Sequence, residues 1–217
     1  MGKLIKGIYG PFTGKVGPAV GSSWMGLNVI RSLPSRRTKP FTPGELAQQM
    51  RFKLMTGFLL RVMPLLNITF KNLAVRMTGF NKGYSYNIKN VFTGEYPNLS
   101  IDYSLALLSR GDLPNAGSPS AASSAPGMLD FSWIDNTGKG KAQKTDKAFV
   151  AAYFVEKNDW EYDLEVADRK DGGYRFDVKH FGGKTVHTYI GFISRDGTEV
   201  SDSIYTGIVE IQKENMV

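Results

Sequence analysis

Cysteine is absent from the 217 residues. Its absence removes disulfides, thiolate nucleophiles and thiolate metal sites from consideration. Histidine is scarce: His180 and His187 stand alone, with the Gly182-Gly183 turn signal between them. A zinc site takes about three or four protein ligands, so both are read as strand or turn residues. No Gly-x-Ser-x-Gly nucleophile turn occurs. Gly10 and Gly14 enclose three residues and Val16 follows Lys15, so the phosphate-loop pattern fails in both its spacing and its hydroxyl. The sequence is therefore expected to be non-enzymatic, with no catalytic residue, cofactor or metal ligand. Long apolar runs are missing too. The stretch from Phe58 to Phe70 is broken by Arg61, Pro64 and Asn67, well short of the roughly 20 apolar residues a membrane helix needs. Near the start, Gly7, Gly10, Pro11 and Gly14 interrupt any secretory apolar segment. A cytoplasmic protein without membrane insertion is the default expectation. Non-classical export or a virion-like assembly is compatible with the same start.

Acid is missing from one half. Residues 1–110 hold 15 lysines and arginines against Glu45, Glu95 and Asp102, a net +12. Residues 111–217 hold 12 against 17 acids, a net −5. Such a split has three readings: attraction within one chain, head-to-tail contact between copies, or an anionic partner such as nucleic acid on the basic half.

What is present supports a folded chain. Hydrophobic residues make up 41% and aromatic residues 12% of the sequence, enough for a core. Residues 1–33 are glycine-rich. Leu4, Ile5, Ile8 and Tyr9 suggest a short extended segment; Val16–Val20 and Trp24–Ile30 suggest two strands around a Gly21-Ser22-Ser23 turn. Strands this poor in side chains need another surface to lie on. A basic, proline-bearing connection follows, with Pro34, Arg36, Arg37, Lys39 and Pro40. Thr42-Pro43-Gly44-Glu45 then reads as a capped helix start. The helical period runs through Leu46, Met50, Leu54 and Phe58, with Pro64 expected to stop or kink it. A second helix is expected over Leu65–Met77 and a third over Asn81–Val91. Phe52, Phe58, Phe70 and Trp24 are expected to be packed.

From Ile101 the alternation predicts strands, first through Ile101, Tyr103, Leu105 and Leu107. The Gly, Pro, Ser and Ala-rich stretch Gly111–Gly127 is expected as a loop. Strands follow around Met128–Trp133, Ala148–Glu156, Tyr162–Ala167, Tyr174–Val178, Thr185–Ser194 and Ser203–Ile211. Short strands at this spacing predict an immunoglobulin or fibronectin-like β-sandwich. The fold expected is α+β: glycine-rich strands and helices over 1–100 joined to a sandwich over 101–217. Asp159, Glu161, Asp163 and Glu165 alternate, which would place all four on one strand face.

Several blocks carry a resemblance: Gly14-Lys15-Val16-Gly17, Val20-Gly21-Ser22-Ser23-Trp24, Ile30-Arg31-Ser32, Arg51-Phe52, Phe70-Lys71-Asn72, Met77-Thr78-Gly79-Phe80-Asn81, Ile101-Asp102-Tyr103, Ser109-Arg110-Gly111 and Ser201-Asp202-Ser203-Ile204-Tyr205-Thr206-Gly207. Over nearly its whole length the chain resembles a bacterial family of about this size, a domain of unknown function. Gly44 and Met50 depart from its pattern. The resemblance implies no activity. Arg31-Ser32 followed by Pro34 and the Thr42-capped helix is also similar to small modules of phage-related structural proteins.

Together these features lead to an expected role as a self-assembling structural protein, a homo-oligomer built as filament, ring or lattice. The expected contact residues are Trp24, Arg31, Arg36, Arg37 and Lys39 on the basic side, and Asp159, Glu161, Asp163 and Glu165 on the acidic side. The alternative is a nucleic-acid-binding module that uses the basic half.

Overall fold

The computed structural model describes residues 2–3, by their backbone, and 10–213. The extended segment expected from Leu4, Ile5, Ile8 and Tyr9 lies outside the described residues. The chain forms two compact units, Met1–Thr42 and Pro43–Val217.

The first unit is a thin antiparallel sheet. Its strands are β1 (Gly2–Lys3), β2 (Gly14–Val16), β3 (Ala19–Trp24) and β4 (Leu27–Ser32), in the order β1-β4-β3-β2. The turn expected at Gly21-Ser22-Ser23 lies elsewhere. Those residues run inside β3, paired with Ile30, Val29 and Asn28. Gly21 is there for space: a Cβ would stand 2.2 Å from the Phe12 carbonyl oxygen. The reversal falls one step later, at Met25-Gly26, with φ of 45° and 75°. Two consecutive positive φ values make the tight turn whose twist matches a hairpin.

The second unit opens with α1 (Pro43–Leu59), which begins at the proline the sequence marked. α2 (Met63–Thr69) carries Pro64 in its first turn, where a missing N–H costs nothing. The two helices meet at an 87° bend, and no single helix among the described residues is long and apolar enough to cross a membrane. The helix expected over Leu65–Met77 is cut short. Thr69 turns its hydroxyl back onto the Leu65 carbonyl, at 3.0 Å, and toward that of Leu108, at 2.6 Å. A single 3₁₀ turn, Lys71–Leu73, follows. α3 (Gly79–Asn90) is capped by Thr78, whose hydroxyl accepts from the Asn81 N–H at 3.1 Å. Gly83 lets α3 close on α2: a Cβ there would sit 3.1 Å from the Phe70 ring and 3.2 Å from Leu66.

Short strands β5 (Phe92–Thr93) and β6 (Ser100–Ile101) pair with each other. The strand expected to run on through Leu107 stops there. Asp102 accepts from the Ser104 N–H at 3.0 Å and bends the chain into a 3₁₀ turn over Tyr103–Leu105. The remaining strands are β7 (Gly117–Ala125), β8 (Met128–Ile134), β9 (Lys147–Phe154), β10 (Asp159–Asp163), β11 (Gly173–Asp177), β12 (Thr185–Ile193) and β13 (Ile204–Glu210). β7 occupies the stretch expected as a loop. Its serines and alanines alternate between partly buried and exposed along β8, and Ser120 meets Ser132 hydroxyl to hydroxyl at 2.8 Å.

These seven strands form two antiparallel sheets, β10-β9-β12-β13 and β11-β8-β7. One apolar core fills the space between them, with Leu129, Phe131, Trp133, Val150, Phe154, Phe176, Ile190 and Phe192. The outer face of the four-stranded sheet is covered as well. Phe149, Ala151, Tyr153, Tyr189 and Ile193 join Met55, Phe58, Leu59, Leu65, Leu66 and Phe70 from the helices in a second core. A sheet covered on both faces explains why β9 is apolar nearly throughout instead of alternating. The boundary expected at 100/101 falls inside β6. Helices and sandwich share a core, and the compact units divide at Thr42/Pro43. The expected α+β class holds: N-terminal strands and helices precede an immunoglobulin/fibronectin-like sandwich.

Candidate interaction surfaces

The basic side of the expected interface lies in the first unit. Within its described residues 10–42, Gly21 is the one buried position. Trp24 is 54% and Met25 50% exposed at the hairpin tip, so the expectation that Trp24 is packed fails. Among the described residues of this unit no second layer covers that ring. Arg31 is exposed on β4, opposite Val20. Arg36 and Lys39 are exposed in the irregular segment after β4. Arg37 is engaged locally: its Nε donates to the Lys39 carbonyl at 2.8 Å, and Nη2 to that of Pro40 at 3.1 Å. Its guanidinium lies over the Phe41 ring, 4.3 Å from the centroid.

The acidic side lies on β10, the edge strand of the four-stranded sheet. Asp159, Glu161 and Asp163 stand opposite Phe154, Ala152 and Val150 of β9, all members of the inter-sheet core. The three acids therefore share the face turned toward the three-stranded sheet. Trp160 and Tyr162 share the face turned toward the helices. Glu165 departs from the expected alternation. The strand ends at Asp163, and Glu165 sits at φ 55°, outside it. Two of the strand acids have partners. Asp159 Oδ1 pairs with Arg61 Nη1 at 2.7 Å, tying the basic half to the acidic half within one chain. Asp163 Oδ2 accepts from the Tyr174 hydroxyl at 2.9 Å, and burial, helped by this bond, raises the pKa of Tyr174. Glu161 and Glu165 make no ion pair among the described residues.

Two constellations were not anticipated from the sequence. Arg169 is fully buried beside Asp146, with Nε 3.1 Å from Oδ2. The only sequence signal was a charged turn, Asp168-Arg169-Lys170-Asp171. The second is a cluster of rings, Phe58, Tyr103, Tyr153, Trp160, Tyr189, Tyr205 and His187, with neighbouring centroids 4.3–5.8 Å apart. Burial raises the pKa of Tyr153 and Tyr189 and keeps both phenols protonated. Phe52, also expected in the core, is 49% exposed and stacks on Tyr84 at the surface.

His187 offers a pH test. Its Nδ1 lies 2.8 Å from the Tyr205 hydroxyl, and burial lowers its pKa below 6.5. Protonation is thus penalised in the folded state. The stability from this site is whole above the unfolded pKa and declines as pH falls through it toward the lower folded pKa. The urea midpoint should drop between about pH 7 and pH 5, and His187→Gln should flatten that drop. Equal slopes in both proteins would exclude His187 as the cause.

A cleft of about 740 Å³ opens at one end of the sandwich, lined by Lys141, Thr145, Ser194, Arg195, Asp196 and Glu199 among others. Its polar groups are mostly used by the turn itself. Ser194 Oγ and Thr198 Oγ1 both donate to Asp196 Oδ1, at 2.6 and 2.8 Å, and Lys141 pairs with Glu199 at 2.7 Å. No group of three or more metal-binding side chains occurs among the described residues.

Fold and surfaces define an α+β protein whose fibronectin-type sandwich is backed by helices and preceded by a separate, thin basic sheet. The chain belongs to the Family of unknown function DUF6266, whose model matches residues 11–207. No curated protein matches the sequence. Among the solved structures that resemble the chain, two cover about half of it. The fn3 domain of human collagen alpha-1(XX) chain is 8% identical, with a TM-score of 0.37, over 48% of this chain and 90% of that one. The chicken CNTN1 FN1-FN3 domains are 10% identical, with a TM-score of 0.39, over 48% of this chain and 36% of that one.

Proposed function

We propose that the protein is a non-enzymatic structural subunit that self-assembles, its basic N-terminal unit meeting the acidic sandwich of the next copy. The observation that carries this reading is the sheet of residues 10–42, which buries Gly21 alone and leaves Val16, Trp24, Met25, Leu33 and Phe41 exposed. A sheet of that kind gains stability only by covering a face or extending an edge. The contact residues are Trp24, Arg31, Arg36, Arg37 and Lys39 against Glu161 and Glu165, with Asp159 and Asp163 beside them. A repeated contact between unlike surfaces closes a ring or continues as a filament.

Light scattering at low and high salt tests this. Mass should rise with concentration at low salt and fall as salt screens the charges. Glu161→Lys with Glu165→Lys should lower the mass at every concentration. A monomer at low salt and high concentration would end the proposal. The second reading, nucleic-acid binding, is favoured by one observation: no acid precedes Glu45. A gel shift that charge reversal at Arg36 and Lys39 abolishes, at unchanged particle mass, would support it over assembly.

A further inference from the structure

We infer that the Arg36-Arg37 pair is a processing site, hydrolysed by an arginine-specific endopeptidase to release the N-terminal sheet from a body that remains folded. Such an enzyme takes its substrate as an extended strand spanning several residues on both sides of the bond. It therefore selects exposed, irregular chain over helices, paired strands and tight turns. Residues 33–42 meet that requirement throughout: every one is exposed, and none lies in a helix or strand. They run from Leu33, whose N–H donates to the Pro18 carbonyl, to Pro43 at the head of α1.

The other arginines do not offer this. Arg31 is in β4, Arg51 in α1 and Arg175 in β11. Arg61 follows α1 and is paired with Asp159. Arg76 sits at φ 54° in the short turn before α3. Arg110 lies over the Tyr86 ring beside buried Ser109, and Arg169 is buried. Arg195 is in a turn closed by the Ser194 and Thr198 bonds to Asp196. Within the segment, Arg37 is held on the far side of the bond by the Lys39 and Pro40 carbonyls and the Phe41 ring, so the Arg36 side chain is the one presented for recognition.

Hydrolysis adds one water across the amide. The C–N bond breaks, leaving a carboxylate on the arginine and a free amine on the next residue. The body loses no core residue, because both apolar cores begin at Met55 or later. The charge changes greatly. Residues 1–36 hold five of the 27 lysines and arginines and none of the 20 acids, so the net charge falls from +7 to +2. The inference does not rest on self-assembly, although the cut would remove the basic partner of that contact.

Limited digestion of the full chain with an arginine-specific endopeptidase tests exposure and integrity. Intact mass should show a single first cut after Arg36 or Arg37. The product should persist, leave a cation exchanger earlier than the full chain, and keep the urea midpoint of the full chain. R36Q/R37Q should remove that cut. A first cut at Arg51, Arg76, Arg110 or Arg195, or a body degraded as fast as it forms, overturns the inference. A cut within residues 33–42 that survives in R36Q/R37Q overturns it too. The physiological arm uses protein recovered from the cells that make it, digested after glutamate. Because Glu45 is the first acid, the peptide ending there should begin at Arg37 or Thr38. Recovery only of peptides that cross the arginine pair intact overturns processing. A scattering result against assembly leaves both arms readable.

Discussion

Replacing Arg169 by alanine is expected to destabilise the second unit by about 3–5 kcal/mol, the usual cost of orphaning one member of a buried ion pair. Arg169 and Asp146 have side chains only 0% and 2% exposed. The guanidinium spends its donors on three separate segments. Nε reaches Asp146 Oδ2 at 3.1 Å, Nη1 the Asn136 side-chain oxygen at 2.7 Å, and Nη2 the Pro114 carbonyl at 2.8 Å. Its planar face lies 4.3 Å from the Phe192 ring centroid, and its carbonyl accepts from the Trp133 indole N–H at 2.8 Å. Burial lowers the Arg169 pKa, against the opposing pull of Asp146, but guanidinium starts high enough to stay charged. Lysine should rescue little, because one ammonium cannot fill a three-way fork. Arg169→Met combined with Asp146→Leu should recover much of the loss, since removing both charges leaves none buried alone. Urea denaturation of the four proteins decides it. A loss under about 1 kcal/mol for Arg169→Ala would mean that the pair is solvated or dispensable.

Phe58→Ala should cost about 3–5 kcal/mol in the same measurement, because it opens a cavity where helix meets sandwich. Phe58 is fully buried. Its ring lies 4.8 Å from that of Tyr153 edge-on, 5.2 Å from Trp160 and 5.4 Å from Tyr103. Its carbonyl accepts the Trp160 indole N–H at 2.5 Å, so the last turn of α1 is bolted to β10 by backbone as well as by ring. The tyrosines cannot collapse freely into the void. Tyr153 is hydrogen-bonded to Asn158 at 2.9 Å and Tyr189 to the Tyr103 carbonyl at 2.8 Å. Phe52→Ala is the control. Two turns earlier and 49% exposed, it should change stability by no more than about 0.5 kcal/mol. Similar losses at both positions would mean that the helix and sandwich do not share one core.

The contrast between those two phenylalanines marks how far a linear reading reached. Local chemistry was legible wherever a residue acts on its own backbone. Pro43 started α1, Pro64 began α2 after a break, and the turn signals around Asp171-Gly172 and Asp196-Gly197 separated the strands they flank. Alternation identified the sandwich strands, with β10 placed a few residues late. It failed for β7, whose small polar residues carry no apolar period and become a strand only because β8 supplies the ladder. It failed again at Glu165, where the chain turns out of the strand.

By itself, the sequence determined that the chain has no thiol chemistry, that charge divides between its halves, that helices precede the sandwich strands, and that those strands are short enough for a sandwich. These follow from composition, covalent geometry and contacts between near neighbours. Only the tertiary structure decided that the helices and the sandwich share a core, that Phe58 is inside and Phe52 outside, that Arg169 pairs with Asp146 in the interior, and that residues 10–42 bury Gly21 alone. Each of these depends on residues far apart along the chain meeting in space, and burial is a property of that meeting rather than of any residue type.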